Sequence, residues 1–217
     1  YIWLSRLFIY EGLAVSKYIW LLDPGHGGMI NGAYQTRGKR SPLFPDGSIL
    51  YEGVFNRDVA ARIKVLCDAE GIECEDIVNS EHDVPLATRV SRANARQVTD
   101  KRCIYLSIHA NGFGDGVTFN SAHGICVFYY MTSNLGKEMA LKLQNHLVAE
   151  TGMSDRGIIA NMSWANFYIL RKTIMPAILS ENGFMTNLED ATNLMKDDFR
   201  QKVADAHFKF IKEMESS

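Results

Sequence analysis

Four side chains in this sequence could do chemistry together: His26, Glu52, His109 and Glu181. His26 stands in "YIWLLDPGHGG", residues 18–28, where an apolar run leads through Asp23 and Pro24 into a glycine-rich turn. His109 ends a second apolar run, "CIYLSIHAN". Two imidazoles at the same end of two strands can converge on one divalent metal. A catalytic zinc takes three protein ligands and keeps a fourth position open. Glu52, heading the helical pattern "YEGVFNRD", is placed to be the third. Glu181 closes another apolar run, "MPAILSENGF". A carboxylate ending a buried strand is costly unless it is paired or takes part in chemistry, and general base is the matching role.

Each residue has an ordinary explanation as well. A histidine in a glycine turn can be incidental, and a glutamate in a first helical turn complements the helix dipole. The spacing matches no short metal motif such as HExxH. What joins the four is position: all fall at one edge of one sheet.

That sheet must be built from the short apolar runs. Residues 18–22, 72–78, 103–109, 125–130, 167–170 and 177–181 read as strands. Several are continuously apolar, as strands covered on both faces are. Helical periodicity fills the gaps: Phe55, Val59, Ile63 and Leu66 share a face in 54–69, Leu135, Met139, Leu143 and Leu147 in 134–150, and Phe199, Val203, Ala206 and Phe210 in 197–214. Alternating strand and helix predicts a single-domain, three-layer α/β fold. Its mostly parallel sheet should have about six strands, flanked by helices. In open α/β sheets, ligands bind at the carboxyl ends of the strands, where these four residues lie.

The chain has 217 residues and a net charge of −2, so no basic excess points to nucleic acid or an anionic membrane. Cys67, Cys74, Cys103 and Cys126 form no CxxC pair and read as buried free thiols. Residues 1–17 are expected to be an N-terminal extension, helical if ordered, ahead of a catalytic domain over 18–217. Arg6 and Glu11 break the opening apolar stretch, so it shows no clear signal peptide and is too short for a membrane span. The one long loop, 31–51, carries Arg37, Lys39 and Arg40. Such a loop is usually functional or disordered. His82, His123, His146 and His207 are assigned ordinary surface or core roles.

The stretches "LLDPGHGG", "EGVFNRDVAARI", "VPLATRVSRAN", "YLSIHANGFG" and "RGIIANMSWANFYILRKTIMPAILSENGFMTN" occur in this order. Together they resemble the zinc-dependent N-acetylmuramoyl-L-alanine amidases, the peptidoglycan amidase family of division amidases and phage endolysins. The resemblance implies that His26, Glu52 and His109 are zinc ligands and that Glu181 is the catalytic carboxylate. It implies hydrolysis of the amide between N-acetylmuramic acid and L-alanine. The protein is then expected to be made in the cytoplasm and to act on the cell wall as a monomer. Arg37, Lys39, Arg40, Asn111 and Arg171 are substrate-binding candidates. Another zinc peptidoglycan peptidase, or a silent wall-binding regulator, is the alternative. Two features depart from the family pattern: the length of loop 31–51, and Ser180 where an apolar residue is expected.

Overall fold

The computed structural model describes residues 16–100, 102–161 and 166–217. The expected N-terminal helix falls on residues 1–15, outside them. Strands β1 (Ile19–Pro24), β4 (Cys74–Asp76), β5 (Cys103–Asn111), β6 (Ile125–Tyr130), β7 (Asp155–Asn161) and β8 (Ala177–Phe184) form one sheet, in the order β4-β1-β5-β8-β6-β7. All pairings are parallel except β6 with β8. A small hairpin of β2 (Met29–Ile30) and β3 (Ala33–Tyr34) follows β1.

Alternation along each strand divides the core into two layers. Trp20, Leu22, Ile104, Leu106 and Ile108 face one way, toward α1 (Glu52–Ala69), α3 (Asn134–Thr151) and α6 (Asp197–Ser216). Ile19, Leu21, Tyr105, Cys126 and Phe128 face the other, toward α2 (Leu86–Thr99) and the short α4 (Tyr168–Lys172). Helix α5 (Leu188–Met195) packs on α6 and β8. All four cysteines are free and buried, and no helix among the described residues is long and apolar enough to cross a membrane.

Three expectations about elements are corrected. Residues 167–170 are not a strand; Tyr168–Lys172 is a helix. An apolar run of four cannot distinguish the two, and here Arg171 and Lys172 extend it into a helical turn. The sixth strand is instead Asp155–Asn161, at the edge of the sheet. Its residues are mostly exposed or half-buried, and Gly157 at φ 74° interrupts it, so it shows no apolar run. The strand expected over 72–78 is only Cys74–Asp76.

Ser180 and His207 explain each other. Val203 O lies 2.7 Å from Nδ1 of His207, and Ser180 Oγ lies 2.9 Å from its Nε2. With Nδ1 donating to the carbonyl, Nε2 accepts from the serine hydroxyl. Burial lowers the pKa of His207 to about 4, so the ring is neutral and its bonds join α6 to β8.

Loop 31–51 is ordered and packed. Phe44 and Leu50 are buried, Ser41 Oγ accepts from Leu50 N at 2.9 Å, and Arg40 pairs with Tyr51 in an isolated bridge. This packing sets where α1 begins and therefore where Glu52 sits.

Candidate metal centre and its cavity

β1 delivers His26 and β5 delivers His109. Pro24 is level with Ile108 in the β1–β5 register, so both histidines reach the same edge. At β8, Glu181 is level with His109. Adjacent strands lie about 4.8 Å apart, and paired residues of parallel strands share a face. Glu52 comes from the other layer, as the first residue of α1, and is 2% exposed.

The three expected ligands are clustered. Their donor atoms all lie within 4.8 Å of one another. His109 Nδ1 is 2.9 Å from Glu52 Oε1, and His26 Nε2 is 3.2 Å from Glu52 Oε2. The two imidazoles meet edge to face at 5.1 Å between centroids. Gly25 makes this approach possible: a Cβ there would collide with the His109 ring.

Electrostatics separate the two glutamates. Burial opposes charge on Glu52, but the imidazoles of His109 and His26 beside it outweigh that and hold the carboxyl well below its usual range. Burial likewise works against a charged His109, yet Glu52 beside it raises that pKa. Glu181 has no such compensation. It is 7% exposed, and its Oε2 is buried without a hydrogen-bond partner. Burial first, and the Glu52 charge after it, push its pKa up to about 8 against the opposing pull of His109 and Lys39.

These four residues line a cavity of about 510 Å³, a size suited to a small ligand. Lys39, Arg40 and Asn111 line it too. Arg37 and Arg171 do not. Arg37 is exposed on the loop, and Arg171 donates to Asn166 Oδ1 at 2.9 Å while its guanidinium lies 5.8 Å from the Tyr168 ring centroid.

Sequence reasoning missed the residues that hold the ligand turn. Asp23 and Arg89 form a buried ion pair at 2.7 Å, each 2% exposed. Burial raises the Asp23 pKa and the Arg89 guanidinium more than reverses this, so Asp23 remains a carboxylate. Ser107 Oγ donates to its second oxygen at 2.7 Å. An aspartate closing an apolar strand was the available signal, but three arginines at helical spacing, Arg89, Arg92 and Arg96, offered equal partners.

The family model described as N-acetylmuramoyl-L-alanine amidase matches residues 21–213. The chain is 30% identical to the amidase LytC of Bacillus subtilis strain 168 over 187 residues, which is 85% of this chain and 33% of LytC. It is 26% identical to the endolysin of Bacillus phage SPP1, covering 92% of this chain and 66% of the endolysin. The chain thus spans a third of the length of such curated relatives as LytC. The crystal structure of an N-acetylmuramoyl-L-alanine amidase from Clostridium difficile 630 superposes with a TM-score of 0.76 at 26% identity, covering 93% of this chain and 98% of that one. By the extent of the family match, and in keeping with the shared fold, this chain belongs to the N-acetylmuramoyl-L-alanine amidase family.

Proposed function

We propose that the chain is a zinc-dependent amidase that cuts the amide between the lactyl group of N-acetylmuramic acid and the L-alanine of the stem peptide. Residues 18–217 would form the catalytic unit, acting on the cell wall as a monomer. The observation that carries this reading is the pairing of two unlike carboxylates in one cavity. Glu52 stays charged between two imidazoles, while Glu181 is buried beside them without a partner.

The donor set fits zinc. Two histidines and one glutamate are a common catalytic zinc set, and the buried Oε2 of Glu52 has no hydrogen-bond partner although His26 is 3.2 Å away. His26, Glu52 and His109 would hold the ion. When bound, zinc supplies Lewis acidity, polarising a carbonyl and acidifying a water. Glu181 takes a proton from the attacking water and passes it to the departing amine of L-alanine. Its burial keeps it a strong enough base for the first transfer and a good acid for the second. Lys39 and Arg40, on the cavity wall, meet the carboxylates of the stem peptide, and Asn111 adds a polar contact.

Purified sacculi incubated with the protein should release intact stem peptides with a free L-alanine amine, identified by mass. Chelation should stop release and zinc should restore it. Peptides cut internally would favour a zinc endopeptidase or carboxypeptidase. Full activity in a demonstrably metal-free sample would sink the zinc reading.

The cationic wall has its own test. Among the described residues, no salt bridge holds Lys39 or Arg40. A hydrogen bond to a charged group is worth about 1.5–3 kcal/mol. Replacing both with alanine should therefore raise KM on peptide-bearing substrate by roughly tenfold or more, leaving zinc content alone. Arg37→Ala, off the cavity, should leave KM unchanged. Equal KM values for the double variant and the wild type would remove both cations from substrate binding.

A further inference from the structure

We propose that Arg57 and Arg89 are positioning residues for the metal: together they clamp the carbonyl of His26 and so fix its imidazole, and Arg57 also ties that turn to the helix carrying Glu52. This rests on the zinc reading above and names the residues that prepare the site for the ion.

The starting point is backbone strain. His26 has φ 65°, in the left-handed region. For a residue other than glycine this conformation is strained. Such strain persists only where the surroundings over-determine it, and it gathers at functional sites. Here the turn is held from two helices at once. Arg89 Nη1, from α2, donates to Pro24 O at 2.6 Å, and Asn56 Nδ2, from α1, donates to Gly25 O at 3.1 Å. His26 O accepts from both Arg57 Nη2 and Arg89 Nη2, each at 2.8 Å. Three successive carbonyls therefore accept from side chains, and the one on the candidate ligand accepts from two guanidinium groups. Both are charge-assisted donors, stronger than neutral ones.

Arg57 does more than cover a carbonyl. Its Nε and Nη2 also donate to Ser80 O, at 3.0 and 2.8 Å, and its Nη1 to Gly53 O at 3.2 Å. It stands on α1 five positions after Glu52. One planar guanidinium thus links the His26 turn, the Ser80 loop and the first turn of α1. Without it, the turn would keep Asn56 as a tie to α1 but lose the clamp on the His26 carbonyl, and the remaining ordering of His26 against Glu52 would fall on metal binding. Outer partners of metal ligands are worth about 10–100-fold in metal affinity when removed.

Arg57 is also the residue that can be changed with least risk to the fold. Its nearest carboxylate, Glu81 at 3.8 Å, is about half exposed, so no buried charge is stranded. Arg92 is the control. It is on α2 and its Nη1 donates to Ile77 O and Val78 O at 2.8 Å, backbone carbonyls away from the ligands.

The experiment is a zinc titration of the apoprotein against a competing chromogenic chelator, with circular dichroism to show that each variant is folded. Arg57→Ala should raise the zinc Kd by about 10–100-fold, and Arg57→Lys should recover part of it, because lysine keeps the charge but not the fork. Arg92→Ala should leave the Kd at the wild-type value. A folded Arg57→Ala protein with wild-type zinc affinity would overturn the proposal, as would an equal loss in Arg92→Ala. A wild-type protein that binds no zinc would overturn the zinc reading itself, and this inference with it.

Discussion

Glu181→Gln is expected to lower kcat by about 10²–10⁴-fold, the range that general acid–base catalysis supplies, while KM and zinc content hold. Glutamine keeps the size and shape of the side chain but cannot accept the proton. The pH profile should change with it. In the wild type, activity rises with pH as Glu181 loses its proton, and in the variant that limb disappears. Stability gives a second readout. With its folded pKa raised to about 8 from 4.5, Glu181 stays protonated in the metal-free native state after the unfolded chain has ionised. The native state then binds more protons than the unfolded one, so stability falls as pH climbs through that window. Metal-free Glu181→Gln should lose less stability between those pH values. Near-wild-type turnover would place the base elsewhere. Loss of zinc would make Glu181 a ligand and redistribute the roles of the two glutamates.

The largest expected effect on folding is at Arg89. Arg89→Met should cost about 3–5 kcal/mol, the penalty for leaving one partner of a buried ion pair uncompensated. Asp23 would keep Ser107 but lose the Arg89 guanidinium, and Pro24 O and His26 O would lose donors. Adding Asp23→Asn should recover a substantial part, because the stranded charge is then gone. Urea unfolding of the two single variants and the double variant measures this. Equal destabilisation in Arg89→Met with and without Asp23→Asn would show that the charge pair is not the cause, and that the carbonyl bonds are.

The two residues bear on the site differently. Glu181 is kept close to neutrality by the same burial that makes it a useful base. Arg89 is paired with Asp23 and also donates to the backbone of the ligand turn.

Much of this could be read from residue order. The strand ends at His26 and His109 were legible because continuously apolar runs stop there, and strands covered on both faces have no other signature. Glu52 and Glu181 were legible because a carboxylate at such a point needs a reason. Helices α1, α3 and α6 announced themselves through apolar residues at i and i+4, since each buries a wide face. Helix α2 did not. Its buried positions are only Arg89, Val90 and Ala93, so its stripe is thin and contains an arginine. Strand β7 stayed hidden because an edge strand needs no apolar run.

Other features were decided only by tertiary structure. The sequence determines that Asp23 needs a cation, but three arginines on α2 were candidates, and only the docking angle of that helix selects Arg89. The sequence places Ser180 in a buried strand; the α6 packing supplies His207 opposite it. Of the three cations in loop 31–51, Lys39 and Arg40 face the cavity and Arg37 does not, because the Arg40–Tyr51 bridge and the buried Phe44 and Leu50 fix how the loop lies. Periodicity and strand ends are local properties, set by backbone geometry over a few residues. Which charge finds which partner depends on contacts between residues dozens of positions apart, and those exist only once the layers have packed.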